Sequence, residues 1–484
     1  MQHSTKLFKN YIYNSVYQLI ILLIPLLLTP FLTRMIGADG IGKYSYTRSV
    51  VTYFILFGTV GSNLYAQREI AIVEDNIRKR SILFWEIFIF RIVMLCISLF
   101  FYLVTEVRYS EYAILFSIQS IDIIAAMADI TWYFQGREQF DKIVVRNIIV
   151  KILTALLLVL LIHSPQDLNI YVCLYAIGNL LGQLLMWKDI PNEVVRCKVS
   201  LTGIFRHTRN MLILFLPQVA IQLYLVIDKT MIELLTHDSS QTGYYELAQT
   251  IERTGVTLVT AFGTVTASRV AILKGKNDLN GIKHLITQSY EIIFFTACPV
   301  FLGIIAIASN LIPWFLGASY TAVTELLYIL SPLILIIGLS NISGIQYMVP
   351  MGLQTQMTIS TVIGAGINIV LNYLLIPLYS AKGAAIASCI SELAVMLVQL
   401  IWIYPILSNI RILKSMSSAL ISSIVMLFAV KYTEKTLLHG VSSIVNTLIL
   451  VAEGIVIYFF MQYLFGNSLF YKLSGGRHES QNRD

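Results

Sequence analysis

Long apolar runs follow one another along almost the whole chain, separated by short polar clusters. Stretches such as Ile20–Phe31 and Thr154–Ile162 run on without alternation. Apolar runs of roughly 17 to 25 residues are what a helix needs to cross hydrocarbon, whereas a membrane β-barrel would alternate apolar and polar positions over segments of about ten. The pattern predicts an all-α polytopic membrane protein with about 14 transmembrane helices. Their approximate cores are 11–33, 43–65, 82–104, 112–134, 143–162, 169–187, 211–235, 244–268, 286–308, 322–346, 357–378, 383–403, 416–431 and 442–465. The ninth-to-tenth connection, Asn310–Ser319, contains Pro313-Trp314-Phe315 and reads as interfacial.

Lysine and arginine orient these spans. With the N-terminus in the cytoplasm, most of the 34 basic residues fall on the cytoplasmic side: Arg68 with Arg78, Lys79 and Arg80; Arg137 with Lys142 and Arg146; Lys188 to Arg209; Arg269 to Lys283. The positive-inside rule then puts both termini in the cytoplasm, with an even number of spans. Lys6 and Lys9 ahead of an apolar run imitate a secretory signal. No small-residue cleavage site follows closely, however, and the run holds Pro25 and Pro30, so it reads as an uncleaved first span. The longest polar stretch, Lys188–Asn210, divides the chain. An N-terminal six-helix lobe at 1–187 and a basic cytoplasmic linker at 188–210 precede a C-terminal six-helix lobe at 211–403. Two extra transmembrane helices and a cytoplasmic tail occupy 404–484. The halves share faint likenesses: Gly42-Lys43-Tyr44 matches Gly243-Tyr244-Tyr245, and Phe134-Gln135-Gly136-Arg137 matches Pro350-Met351-Gly352-Leu353. Parallel internal repeats would leave such traces.

Composition agrees. Apolar residues make up 57% of the chain and charged residues only 13%, against about a quarter charged in soluble domains; mean hydropathy is +0.74. The net charge of +7 is accounted for by basic loops and gives no reason to expect a nucleic-acid partner. The five cysteines are isolated and form neither a CxxC pair nor a disulfide framework. Gly37-x-x-x-x-Gly42-Lys43 nearly matches a phosphate-binding loop, but Tyr44 stands where Ser or Thr must hold Mg²⁺ and no strand precedes it. A tight turn is the better reading of those glycines. No metal-ligand set, cofactor motif or nucleophilic triad is found, so no cofactor is expected and the chain does not read as an enzyme.

Charges inside spans are costly and usually face an interior cavity. Asp228 and Lys229 lie in the seventh expected span and Glu252 and Arg253 in the eighth. Asp228 sits roughly 10 Å, and Glu252 roughly 12 Å, from the outer ends of their helices, which makes Asp228–Arg253 and Lys229–Glu252 plausible partners. In the first half, Arg91 and Lys151 lie roughly 12–14 Å from the inner ends of spans three and five, with Asp122 a counter-charge for either. Arg34 and Arg48 flank the outer ends of spans one and two; snorkelling accounts for these equally well. Asp228 with Lys229 also fits a purely structural pair. Prolines 25, 30, 217, 299, 332 and 377 permit bends. Gly364-Ala365-Gly366 and Gly383-Ala384-Ala385 offer small faces for close helix packing.

Taken together, several stretches make the chain resemble the bacterial polysaccharide-transport flippases, the Wzx-like branch of the MOP superfamily that also contains the MATE exporters. They are Thr33-Arg34-Met35-Ile36-Gly37 through Gly42-Lys43-Tyr44-Ser45, Tyr65-Ala66-Gln67-Arg68-Glu69-Ile70-Ala71, and Asp129-Ile130-Thr131-Trp132-Tyr133-Phe134-Gln135-Gly136. Later come Leu216-Pro217-Gln218 with Tyr224, Asp228-Lys229-Thr230-Met231, Gly243-Tyr244-Tyr245-Glu246 with Ala248-Gln249, Asn368 with Asn372-Tyr373, Ile376-Pro377, and Gly383-Ala384-Ala385 with Glu392. Where the family pattern has a Pro-Arg pair, this chain reads Ala267-Ser268-Arg269.

The resemblance implies a MATE-like bundle of two six-helix lobes plus two C-terminal helices in the bacterial cytoplasmic (inner) membrane. Its partners would be an undecaprenyl-diphosphate-linked glycan, the lipid bilayer and other polysaccharide-assembly membrane proteins, with the protein itself a monomer. The expected activity is flipping of repeat units from the inner to the outer leaflet by alternating access. Arg34, Arg48, Arg91, Lys151, Lys229 and Arg253 are then the candidate cavity cations for phosphate or sugar, and Asp122, Asp228 and Glu252 the counter-charges or coupling groups. Two rivals stand beside this reading. An ion-coupled multidrug exporter of the same superfamily would favour an acidic cavity; a membrane-embedded polysaccharide polymerase would need a large outer loop, whereas His163–Asn169 and Thr236–Gln241 are short.

Overall fold

The computed structural model describes residues 24–470 apart from 74–75, 109, 407–409, 439–440 and 468. The start of the first expected span (11–23), Lys6, Lys9 and the C-terminal tail lie outside the described residues. Every regular element among the described residues is helical. Among the described residues, eleven helices are long and apolar enough to cross a membrane, twelve if a bent pair counts as one. The count of fourteen is not confirmed, the start of the first expected span lying outside the described residues. The described part of the first expected span is the apolar helix α1 (Ile24–Met35). The seventh coincides with α10 (Thr208–Thr236), a 29-residue helix with Asp228, Lys229 and Glu233 in its second half.

The chain divides by contacts after Gly243; the lobe boundary at 188–210 rests on span counting and stands as a proposal. In the first unit, α2 (Gly37–Thr59) packs on α4 (Ile77–Tyr102), α5 (Ala113–Ala128) and α10, while α8 (Leu168–Met186) packs on α5 and α7 (Phe140–Leu161). Two of the expected spans are broken. α2 and α3 (Ser62–Ile72) meet at a 44° bend, because Val60 and Gly61 both take left-handed backbone, φ 48° and 71°. A Cβ on Gly61 would lie 2.6 Å from the Met211 carbonyl oxygen, so the bend also admits α10. The fourth span breaks between α5 and α6 (Thr131–Gly136), where Asp129 Oδ1 accepts from the Thr131 amide (2.9 Å) and hydroxyl (2.6 Å).

The near phosphate-loop motif is structural. Gly37 is left-handed, φ 77°, and Lys43 pairs with Asp39 at 2.7 Å. A Cβ on Gly42 would land on the Ser239 carbonyl oxygen. One end of the unit is filled by Phe84, Phe88, Trp132, Tyr133 and Trp187 in mutual ring contact, and the short helix α9 (Leu201–Phe205) packs on α4 beside it.

Most of α11 (Ser239–Thr260) and all of α12 (Gly263–Gly275) belong to the second unit. Its central element is α13 (Leu279–Phe315), a 37-residue helix that contains Pro299 and Pro313. It therefore runs through the first part of the connection expected at 310–319, and Trp314 donates to Thr447 Oγ1 at 2.7 Å. Around α13 lie α14 (Thr321–Leu330), α15 (Pro332–Asn341), α18 (Ile410–Thr436) and α19 (Ile444–Leu464). α16 (Gln354–Tyr379) and α17 (Ala381–Ile403) pair closely, with Gly383 against the Leu375 carbonyl and Gly364 against Val395. That is the close approach the small faces predict.

Candidate functional site

A cavity of about 250 Å³ opens among α1, α2, α7 and α8, all within the first unit. Its wall carries Arg48, Arg146 and Lys151, the amides Asn147, Asn179 and Gln183, and Tyr44 and Tyr175. Arg48 donates to Tyr44 OH at 2.8 Å, and its guanidinium lies 5.8 Å from that ring's centroid. Tyr44 stacks on Tyr175 at 5.6 Å and meets Tyr171 edge-on at 4.9 Å. Arg146 is fixed by the Gly182 carbonyl (3.0 Å) and Gln183 Oε1 (2.8 Å). Among the described residues, no Asp or Glu lines this wall; Asp122 stands behind it, buried, and accepts from Asn179 Nδ2 at 2.9 Å.

Two of the sequence candidates, Arg48 and Lys151, are thus brought to one cavity. Arg146, Asn147, Tyr44, Tyr175 and Asn179 were missed. Their signal was present as helical spacing: Tyr44 and Arg48 are four apart on α2, Asn147, Lys151, Thr154 and Leu158 recur on α7, and Tyr175, Asn179 and Gly182 on α8. The remaining candidates lie elsewhere. Arg34 is exposed on α1 and donates to the Pro30 carbonyl at 3.3 Å. Asp228 and Lys229 are buried in α10, next to Thr230, whose hydroxyl meets Tyr53 OH at 3.0 Å. In the second unit Glu252 is buried, with Oε1 lacking a hydrogen bond, while Arg253 is exposed.

Arg91 does not pair with Asp122 as expected. It is wholly buried outside the cavity wall, donating to Ser62 Oγ (3.1 Å), Asn63 Oδ1, the Ala126 carbonyl (3.3 Å) and Asp129 Oδ2 (3.4 Å). Those partners are the two helix breaks, so this cation ties the bend at 60–61 to the break at 129–130.

The expected linker at 188–210 is folded onto α4. Glu86, buried in α4, accepts from Arg206 at 2.6 Å and meets His207 Nε2 at 3.0 Å; His207 Nδ1 in turn meets Tyr65 OH at 2.7 Å. Glu193 faces Arg137 (3.6 Å), Arg80 (3.7 Å) and Lys142 (3.7 Å) and accepts from Gln139 at 2.9 Å. Burial alone would raise the Glu193 carboxyl, but the Gln139 hydrogen bond and the charges of Lys142 and Arg137 outweigh it and hold the group below the usual carboxylate range. Among the described residues, no group of three His, Cys, Asp or Glu is arranged to hold a metal ion.

Apolar helices of spanning length in both units, with cations turned into an internal cavity, define a multi-pass membrane protein of transporter type. The fold is shared with the structure described as "Lipid II flippase MurJ, inward closed conformation", at TM-score 0.72 and 18% identity over 96% of this chain and 99% of that one. A multidrug resistance MATE family transporter of the MOP superfamily, inward-facing, matches at TM-score 0.54 and 13% identity over 85% and 99%. The chain belongs to the polysaccharide biosynthesis protein family, whose profile matches residues 7–267. A relative from Escherichia coli K12, named "Putative O-antigen transporter", is 24% identical over 402 residues, 82% of this chain and 96% of its own length. One of the same name from Shigella dysenteriae is 22% identical over 78% and 95%.

Proposed function

We propose that this protein is a flippase that moves undecaprenyl-diphosphate-linked oligosaccharide repeat units from the inner to the outer leaflet of the bacterial cytoplasmic membrane by alternating access. Both termini are placed in the cytoplasm on the distribution of Lys and Arg. The observation that carries the reading is the cavity at Arg48, Arg146 and Lys151, whose wall, among the described residues, holds no carboxylate. Cations kept within a membrane and facing a cavity suit a diphosphate, which offers several charge-assisted acceptors. At about 250 Å³ the cavity falls just below the usual small-ligand range of about 300–1,000 Å³. It is sized for the charged head rather than a whole oligosaccharide. Tyr44 and Tyr175 offer faces for the first sugar.

In this reading Arg34, Lys229 and Arg253 remain further candidate cations, Asp122 and Asp228 counter-charges, and Arg91 a brace rather than a ligand. Glu252, buried with one oxygen unpartnered, is the carboxylate assigned to a coupling proton or cation. The rival reading, an ion-coupled exporter of cationic drugs, has the MATE-like fold in its favour but calls for acidic cavity groups. Transfer of a fluorescent undecaprenyl-diphosphate oligosaccharide in proteoliposomes tests the proposal. Wild type should exceed empty vesicles, and the Arg48→Gln/Lys151→Gln variant should lose at least tenfold, since each lost charge-assisted contact is worth about 1.5–3 kcal/mol. Equal transfer by the variant overturns the cavity assignment. Efflux of cationic drugs without glycan transfer would favour the exporter.

A further inference from the structure

A second basic site lies in the first unit, away from the cavity. The stretch 194–200 runs along the start of α4 and is pinned there at Val195: its amide donates to Ser81 Oγ at 3.0 Å, and its carbonyl accepts from Trp85 Nε1 at 3.1 Å. Between the two segments is a cleft of about 510 Å³ lined by Ile77, Arg78, Ile82, Val195, Arg196, Cys197 and Lys198. Among the described residues, Arg78, Arg196 and Lys198 have no ion pair or side-chain hydrogen bond. Among the described carboxylates of these two segments, Glu193 is engaged by Arg80, Arg137 and Lys142, and Glu86 by Arg206 and His207.

The surroundings narrow the ligand. α4 is a membrane-spanning helix that starts at Ile77, so the cleft stands at one end of a span, the depth of lipid headgroups. Trp85 and Trp187 lie near that end, as interfacial tryptophans do. Ile77 and Val195 in its lining are exposed, and so are Ile72, Leu201 and Phe205 on the neighbouring segments of chain, a costly arrangement in water and a natural one against acyl chains. We propose that Arg78, Arg196 and Lys198 form a binding site for the phosphate of an acidic phospholipid in the surrounding bilayer, its acyl chains lying over the exposed apolar side chains. The site is distinct from the cavity at Arg48 and Lys151 and does not depend on what that cavity transports. Three cations held at one rim by a folded segment act on a phosphate as juxtamembrane basic clusters act on anionic lipid.

The test is thermal denaturation of the full-length protein in neutral-detergent micelles, titrated with phosphatidylglycerol, with phosphatidylcholine, or with inorganic phosphate. Saturable stabilisation of wild type by phosphatidylglycerol alone is expected. Its half-saturation should rise on the order of a hundredfold in Arg78→Gln/Arg196→Gln/Lys198→Gln. Arg209→Gln, an exposed cation outside the cleft, should leave it unchanged. If the triple variant fails to fold, Arg196→Gln alone should still weaken binding roughly fivefold. Equal response to phosphatidylcholine, or an unshifted titration in the variants, overturns the proposal. Stabilisation by inorganic phosphate at the same concentration, lost in the triple variant, overturns the lipid assignment in favour of a free anion.

Discussion

Arg91→Met is the substitution that separates a brace from a substrate ligand. The native side chain is wholly buried and donates to Ser62, Asn63, the Ala126 carbonyl and Asp129. Methionine keeps most of the volume and removes every donor. Breaking a buried ion pair by deleting one partner costs about 3–5 kcal/mol. The lower end applies here, because Asp129 is 16% exposed and keeps both hydrogen bonds from Thr131. A loss of about 3 kcal/mol is therefore expected, with the Arg91–Asp129 share, about 1–2 kcal/mol, recovered from a double-mutant cycle with Asp129→Asn.

The assay is tryptophan fluorescence during heating at one fixed rate, since unfolding of large proteins is commonly irreversible and its midpoint depends on the rate. Trp132, fully buried and three residues from Asp129, donates to the Asp129 carbonyl at 3.1 Å and reports on the clamp. The midpoint should fall by several degrees, and any glycan transfer that remains should run at the wild-type rate per folded molecule. An unchanged midpoint with transfer abolished would refute the brace and return Arg91 to the transport cations.

Two further outcomes follow from local geometry. Gly42→Ala should destabilise by about 1–3 kcal/mol or more, because the new Cβ meets the Ser239 carbonyl oxygen, a backbone atom that cannot step aside. Gly37→Ala, left-handed but in open space, should cost only about 1–2 kcal/mol; midpoints in the reverse order would show that the α2 contact is looser than described. For Glu193, whose carboxyl is held below its ordinary range, stabilisation is fully present above the unfolded value of about 4.3 and is lost as pH falls through the lower folded value. Unfolding midpoints scanned from neutral to acid pH should show an acid loss that is smaller in Glu193→Gln, and identical slopes in the two proteins would deny the carboxylate that role.

The spanning helices were legible because twenty or so apolar residues in succession have few other uses. Their interruptions were not. The bend after α2 depends on a left-handed Val60, a state that sequence disfavours for a β-branched residue, and neighbouring α10 supplies the reason only once folded. Charge pairing failed for a related reason. Asp122 and Asp129 are seven residues apart, two turns of helix and so the same face, and depth alone does not choose between them. The break after α5 carries Asp129 to Arg91 and leaves Asp122 to Asn179. The cavity was half legible. Counting only formal charges found Arg48 and Lys151 but passed over the amides and tyrosines at the same helical spacing.

A sharper rule for reading charges within a membrane comes from comparing the ones in the first unit. Glu233 accepts from Tyr112 (2.7 Å), Ser239 (2.6 Å) and Thr242 (2.9 Å); Glu86 has Arg206 and His207; Asp129 has Arg91 and Thr131. Each of these three carboxylates is committed to two or three fixed donors, as the cost of burying an ion demands, and each commitment joins separate segments of chain. The cavity cations differ. Arg48 donates to a phenol and has the Asp122 carboxylate within electrostatic reach. Lys151, among the described residues, has neither an ion pair nor a hydrogen bond. An ion whose partners are all protein has spent its electrostatic capacity on folding, whereas one that meets only neutral dipoles retains most of it for a ligand. By that criterion Arg91 belongs to the scaffold although it is the most deeply buried cation of the set. Lys151, less buried and less remarkable in the sequence, is the residue whose neutralisation should be felt first in transport and least in stability.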